Sequence, residues 1–450
     1  MILIALAMVA IIAMAALSID VVTLYLARSE AQRSADAAAL AAARVISVSG
    51  VTGDPSNAQG SLAAAPWPTI CTLATQVANT VASQNTVGGA VANPVTVNFV
   101  YNGGTSDCTT PTPAFATNPQ VQVQVQRTGI PTLFARIWSR TSNSISATAT
   151  AEVFNPSGTA GLGNAVPVQP RCVKPWVVPN QDPLNGANCT NGACQPFVNL
   201  ADGSVTNPGI SLGGTNTNGV IGESFNLFPD CRFGATCSLR NPTPVANRTV
   251  SSVIPAPPNL EYLPGQVQAS SKAVPNGPST ACAEVLSNYA QAVAGCDQST
   301  RYQCGVQNAN TVDLSENPRT RDTTKGLQCL IQQSMPGPQG TVNGQDTLDS
   351  TVFPFQMKAG DNNLLGVAAT TQISSSNSIV SLPIYDHNPP IAPTGQSSVT
   401  IVGFLQVFVN SVDDNGNVNV TVLNVSGCGN NVANGAVTGS SPVPVRLITQ

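Results

Sequence analysis

"ARSEAQRSADAAALAAAR", residues 27–44, follows without a break on the apolar run "MILIALAMVAIIAMAALSIDVVTLYL" (1–26), whose one charged side chain is Asp20. Half of the second stretch is alanine, the residue of highest helix propensity, and neither stretch contains glycine or proline. One continuous helix is therefore predicted across the join. About 20 apolar residues at a rise of about 1.5 Å each span a hydrocarbon core of roughly 30 Å. The first segment accordingly reads as a single-pass anchor with its N-terminus inside. A cleaved signal peptide is the competing reading, with Ala13-Met14-Ala15 as its cleavage site, but no basic segment precedes the apolar run. A buried core helix fits the length of the run less well. Past the anchor, Ala31, Ala35, Ala38 and Ala42 recur on one helix face. Such a smooth stripe lets another helix or a sheet approach closely, and Arg33 and Asp36 are spaced to pair beside it.

The remaining composition fits an exported body. Charged residues make up 9% of the 450 and aromatics 5%, against about 25% charge in ordinary soluble domains. The surface must be hydrated by amides and hydroxyls. A net charge of −4 and the lack of a Lys/Arg run argue against nucleic-acid binding. The cysteines number 12: Cys71, Cys108, Cys172, Cys189, Cys194, Cys231, Cys237, Cys282, Cys296, Cys304, Cys329 and Cys428. Zinc knuckles need short paired spacings and usually histidine. Only Cys189 and Cys194 come near that spacing, and the chain has a single histidine, His387. Disulfides are the expectation, and they place the body in an oxidising compartment. Cys189–Cys194, Cys231–Cys237 and Cys282–Cys296 are the local pairs expected.

Residues 50–66 read as a linker, and Ile70, Leu73, Val77 and Val81 predict a helix over 69–85. "VTVNFVY" (95–101), "VQVQVQ" (121–126) and "ISATATAEVF" (145–154) alternate as strands do, and "PTLFARIWS" (131–139) is expected to form a short helix opened by Pro131. From 156 to about 280, Pro, Gly and Asn predict loops and short strands pinned by cysteines. A helix is expected at 282–296. Runs 399–409 and 418–425 predict a hairpin turning at Asn415-Gly416, the favoured type I′ dipeptide. Asp413 and Asp414 belong to that turn rather than to a calcium loop, since the EF-hand spacing is missing.

The residues around the join carry a resemblance. Ile19-Asp20, Tyr25, Arg28, Gln32 and then Ala35-Asp36-Ala37-Ala38-Ala39-Leu40 are similar to the N-terminal module of TadG-like Flp/Tad pilus-assembly proteins. The match covers about a tenth of the chain. The resemblance implies an inner-membrane, single-pass protein with most of its chain periplasmic, working with other pilus-assembly or envelope proteins. "IPTLFARIWSRTSNSISATATAEV" also resembles the segment beyond the helix in this family, and the 51–155 outline is pilin-like by analogy. Some relatives carry a von Willebrand factor A domain with an Asp-x-Ser-x-Ser metal motif. The nearest string here, Asp313-Leu314-Ser315-Glu316-Asn317, departs from it, so no metal site is carried over.

Catalytic chemistry finds little support. No G-x-S-x-G elbow or phosphate-binding G-x-x-x-x-G-K-[ST] loop occurs, and "GLGNAV" (161–166) lacks the third glycine of a dinucleotide fingerprint. His387 reads as a loop residue. The fold class expected is α+β: a single N-terminal transmembrane helix continuing into an alanine-rich helical stalk, then a β-rich, disulfide-braced extracytoplasmic region. The divisions fall at 1–50, 51–155 and 156–450. No cofactor, metal, nucleic acid or small-molecule substrate is expected. The function expected is that of a non-enzymatic, membrane-anchored pilus component. A carboxylate-dependent hydrolase and an adhesin-like binding module are the alternatives.

Overall fold

The computed structural model describes residues 2–51, 66–101, 104–109, 111–132, 134, 142–153, 173–185, 194–201, 203–215, 218–229, 259–267, 277–283, 286–295, 302, 305–313, 320–334, 344–387, 396–414, 416–428 and 445–448. The chain divides into two units, the first made of residues 1–47, 55–155 and 443–450, and the second of 48–54 and 156–442.

The first unit begins with α1 (Ile2–Ser49), whose 48 residues give a rod of about 72 Å. It crosses the apolar–alanine join without interruption. Helix α2 (Trp67–Gln84) takes Pro68 in its first turn, where the missing N–H costs nothing. Its buried face carries Ile70, Leu73, Ala74 and Val77, at the helical spacing evident in the sequence. A two-strand ribbon, β1 (Thr86–Val87) and β2 (Ala90–Val91), follows. Next come β3 (Val95–Tyr101), β4 (Gly104–Ser106), the short helix α3 (Pro113–Thr117), β5 (Gln120–Pro131) and β6 (Ser142–Val153). The final strand, β18 (Val445–Ile448), returns to pair with β6 and completes an antiparallel sheet ordered β18-β6-β5-β3-β4.

Alternation in β5 and β6 sorts the two faces of this sheet. Val121, Val123 and Val125 are buried and stand opposite Ala151, Ala149 and Ala147. Pro131, expected to open a helix, instead closes β5 opposite Ser142. The rest of that predicted helix, apart from Thr132 and Phe134, lies outside the described residues, as do residues 52–65 of the linker. Trp67 stacks on Phe115 at 5.1 Å, and a disulfide joins Cys71 of α2 to Cys108.

The second unit is built around a closed barrel. Its strands are β7 (Trp176–Pro179), β8 (Ile210–Gly214), β9 (Ile221–Pro229), β10 (Asn259–Pro264), β11 (Gly305–Asp313), β12 (Thr347–Asp349), β13 (Gln356–Lys358), β14 (Gln372–Ile373), β15 (Ile379–Tyr385), β16 (Gln396–Val412) and β17 (Val418–Gly427). The pairings β10-β7-β15-β16-β17-β9 form a path, and the parallel β9–β10 pair joins its two ends into a six-strand ring. Strand β8 adds to β9 and β11 to β16, while β12-β13-β14 form a separate small sheet. Closure removes free edges, which would otherwise template aggregation.

The predicted hairpin is β16–β17, but its connection differs from a two-residue turn. Asp413 N–H donates to Asn417 O at 3.0 Å and Gly416 N–H to Asp413 O at 3.1 Å. Gly416, at φ +73°, supplies the left-handed residue of a three-residue loop. Asn415 lies outside the described residues. The Asp413 carboxylate accepts from the Asn417 backbone N–H at 2.8 Å, which is the turn role expected of it.

The predicted 282–296 helix is split. Thr280–Ala283 form a 3-10 turn and α4 runs only over Asn288–Ala294. Ser287 caps α4 by accepting from Ala290 N–H at 3.1 Å. The expected Cys282–Cys296 bond is accordingly wrong. The turn lies against α5 (Thr320–Leu330), where the Cys282 and Cys329 Cα atoms are 4.8 Å apart and their sulfurs are bonded. Packing of Ala281, Leu286, Ala290 and Ala294 with Cys329 selects the distant partner over the near one. Cys194 and Cys428 each belong to a disulfide as well, so every described cysteine is oxidised. Cys172, Cys189, Cys231, Cys237, Cys296 and Cys304 lie outside the described residues, and with them the expected Cys231–Cys237 bond and one half of Cys189–Cys194.

Candidate functional site

The helix that carries the sequence motif changes character along its length. Leu3, Met8, Ile12, Leu17, Ile19, Val22 and Leu26 are exposed, as are Tyr25 and Arg28. From Ala27 onward one face is sealed. Ala27, Ala31, Ala35, Ala38, Ala39, Ala42 and Ala43 are buried, and Ser34 with them. Side chains this small bring the helix axis close to its neighbours, and no long side chain has to be ordered.

Three polar contacts fix this helix within its own unit. Gln32 Nε2 donates to the carbonyl of Thr148 on β6 at 3.3 Å and to Asp36 Oδ1 at 2.8 Å. Glu30 Oε2 accepts from the Gly88 N–H between β1 and β2 at 2.7 Å. Asp20, buried among exposed apolar neighbours, accepts from the Phe134 N–H at 3.0 Å through Oδ2. Of the motif residues, Asp20, Gln32, Ala35, Asp36 and Ala38 thus lie on or beside the sealed face, and Leu40 is half-buried. Ile19, Tyr25 and Arg28 point outward. The Glu30, Thr148 and Phe134 partners carry no sequence signal, because each is a long-range contact, two of them to backbone N–H groups and one to a backbone carbonyl.

Residues 1–45 match the TadE/G-like Flp pilus-assembly family. The match covers the exposed apolar segment and the alanine face together, and it is the module read from Ile19-Asp20 through Leu40. No curated protein and no solved structure gives a match to the chain.

In the TadE/G-like module, Ala35 is fully buried and Ala37 is half-exposed. Ala35→Leu forces three extra carbons into a closed contact and should cost about 2 kcal/mol. Ala37→Leu should stay within about 0.5 kcal/mol. Thermal unfolding of the two variants in detergent checks the pair, and equal melting temperatures would contradict the buried-stripe geometry.

Outside the TadE/G-like module, titratable groups gather in the barrel unit. Glu223 follows the inward alternation of Phe225 and Leu227 on β9, and all three are buried. Its carboxyl hydrogen-bonds the Asp182 side chain. Among the described residues no N–H or neutral O–H donates to either Glu223 oxygen. Asp182 Oδ1 accepts from Leu184 N–H at 3.0 Å. Burial, then the charge of Asp182, push the Glu223 carboxyl up to about 10. Burial likewise raises Asp182. The proton between them rests on Glu223.

Lys174 is buried too, with Nζ donating to Gly295 O at 2.6 Å, and burial lowers its ammonium to about 7. His387 contacts Gln181 at 3.4 Å, and burial holds its imidazole below the ordinary value against the opposing charge of Asp386. A cavity of about 110 Å³ lies elsewhere, lined by residues including Leu330, Asp346, Leu365 and Ser376. It is smaller than the roughly 300 Å³ of a typical ligand site. Its carboxylate, Asp346, is engaged by Gly360 N–H and the Ser376 hydroxyl. Among the described residues no group of three or more His, Cys, Asp or Glu side chains is arranged to hold a metal ion.

Proposed function

We propose that this protein is a non-enzymatic, membrane-anchored structural component of a Tad-type pilus or related envelope apparatus. Its anchor crosses the inner membrane once, and the chain beyond it stands on the periplasmic side, where it contacts other assembly proteins. The observation that carries this reading is the family match over residues 1–45 on a helix that is lipid-compatible at one end and sealed by alanines at the other. Oxidised cysteines in both units support an extracytoplasmic body. The acid pair that a carboxylate-dependent hydrolase would need is closed off from solvent, with Glu223 at 0% and Asp182 at 1% exposure. That favours a structural role for the pair over contact with a substrate.

Deleting residues 1–26 should move the protein from the membrane fraction to the soluble fraction and abolish piliation. Fractionation with and without carbonate washing measures the first effect and electron microscopy of cells the second. Retention of the shortened chain in carbonate-washed membranes would refute the anchor. In intact cells the described cysteines should react with a membrane-impermeant maleimide only after reduction, and equal labelling without reductant would refute the oxidising location.

A further inference from the structure

We infer that Phe134, just beyond the end of β5, makes a second membrane contact and enters the boundary between headgroups and acyl chains beside the anchor; this rests on the reading of α1 as a membrane anchor. Asp20 lies within the apolar band rather than at its end. Val21, Val22 and Leu26, beyond it in sequence, are 57%, 54% and 56% exposed. Arg28, the first basic side chain, follows only eight residues after Asp20, a rise of about 12 Å. Lipid that covers Val21, Val22 and Leu26 therefore reaches the level of Asp20.

At that level Asp20 alone among its neighbours is buried, at 4% exposure. The protein covers it with the backbone of Phe134, whose N–H donates to the carboxylate. A carboxylate facing acyl chains needs such a donor, because water is scarce there. The same contact fixes the depth of Phe134. A residue hydrogen-bonded to Asp20 lies at Asp20's level, and Phe134 remains 37% exposed. Aromatic rings favour this interfacial zone. The partner is thus the phospholipid of the membrane that the anchor crosses.

The test is tryptophan quenching by brominated phospholipids in the full chain, reconstituted into phosphatidylcholine–phosphatidylglycerol vesicles. Trp138→Phe serves as the background, since the remaining Trp67 and Trp176 are fully buried. Into it are placed Phe134→Trp and, separately, Leu17→Trp. Quenching at position 134 should exceed background at least twofold and be strongest with bromines near the headgroup, while position 17 is quenched best by deeper bromines. Quenching at 17 with only background quenching at 134 overturns this inference and leaves the anchor standing. Background quenching at both positions overturns the anchor, and the inference with it. Phe134→Tyr in the Leu17→Trp protein guards against a folding artefact: it should melt as the parent does and leave quenching at 17 unchanged.

Discussion

Glu223→Gln is expected to stabilise the protein at pH 7 by about 3 kcal/mol and to have little effect at pH 4. The carboxyl of Glu223 titrates near 4.5 when unfolded and is pushed up to about 10 in the barrel. Below pH 4.5 both states carry the proton, so burial has no pH-linked cost. As pH rises, the unfolded chain releases the proton while the folded chain keeps it. The folded state then binds more protons, and stability falls by about 1.4 kcal/mol per pH unit. Two and a half units separate 4.5 from pH 7, which gives the stated figure. Glutamine keeps the shape and offers Asp182 an amide donor without that cost. The strands flanking Glu223 on β8, β9 and β17 contain no Lys, Arg or His, so none of them supplies a counter-ion that would reduce the effect.

Asp182, also raised, steepens the fall in the acid range, and His387, lowered, opposes it below its ordinary value. Above pH 7 the buried Lys174 acts with the opposite sign. Its folded ammonium titrates near 7 against 10.5 unfolded, so stability rises with pH across that window and offsets Glu223. Wild-type stability should therefore fall between about pH 4.5 and 7 and flatten above. Thermal melts from pH 4 to 9 on wild type and variant decide it. At pH 7 the gain corresponds to roughly 6–12 °C. A variant that tracked wild type at every pH would show that the pair carries no trapped proton.

Cys282→Ser with Cys329→Ser should destabilise the barrel unit by about 4 kcal/mol. The bond closes a loop with a sequence separation of 47, and the chain-entropy relation gives about that figure at 25 °C. The two sulfurs are packed among Ala281, Leu286, Ala290 and Ala294, so serine hydroxyls would enter an apolar contact as well. Chemical denaturation of the double variant measures the loss. Single variants should fare worse during oxidative folding, because each leaves an unpaired thiol able to capture a wrong partner. Unfolding midpoints unchanged in the double variant would mean that the α4–α5 contact holds the turn without covalent help.

Local pattern made several elements legible. Strict alternation marked β3, β5, β6 and the β16–β17 hairpin, and the Ile70-Leu73-Val77 spacing marked α2. The apolar N-terminal helix and the alanine stripe were readable because composition and period both survive in a single segment. Long-range pairing was not. The parallel β9–β10 and β7–β15 ladders that close the barrel join strands whose own residues look like short loop-borne runs. Cys282 chose Cys329 over Cys296 because a capping serine cut the helix between the nearer pair. Asp182 and Glu223 meet across 41 positions of sequence, and neither sits in a motif. Asp20 was legible as a motif residue, while its donor, a backbone N–H, could have been any residue.

The antiparallel sheet of the first unit takes its outermost strand from residues 445–448, although its other strands are complete by residue 153. During synthesis and export the β6 flank must stay unzipped while the entire barrel emerges. A chain made in that order keeps bare backbone donors on this flank for the longest stretch of its biogenesis.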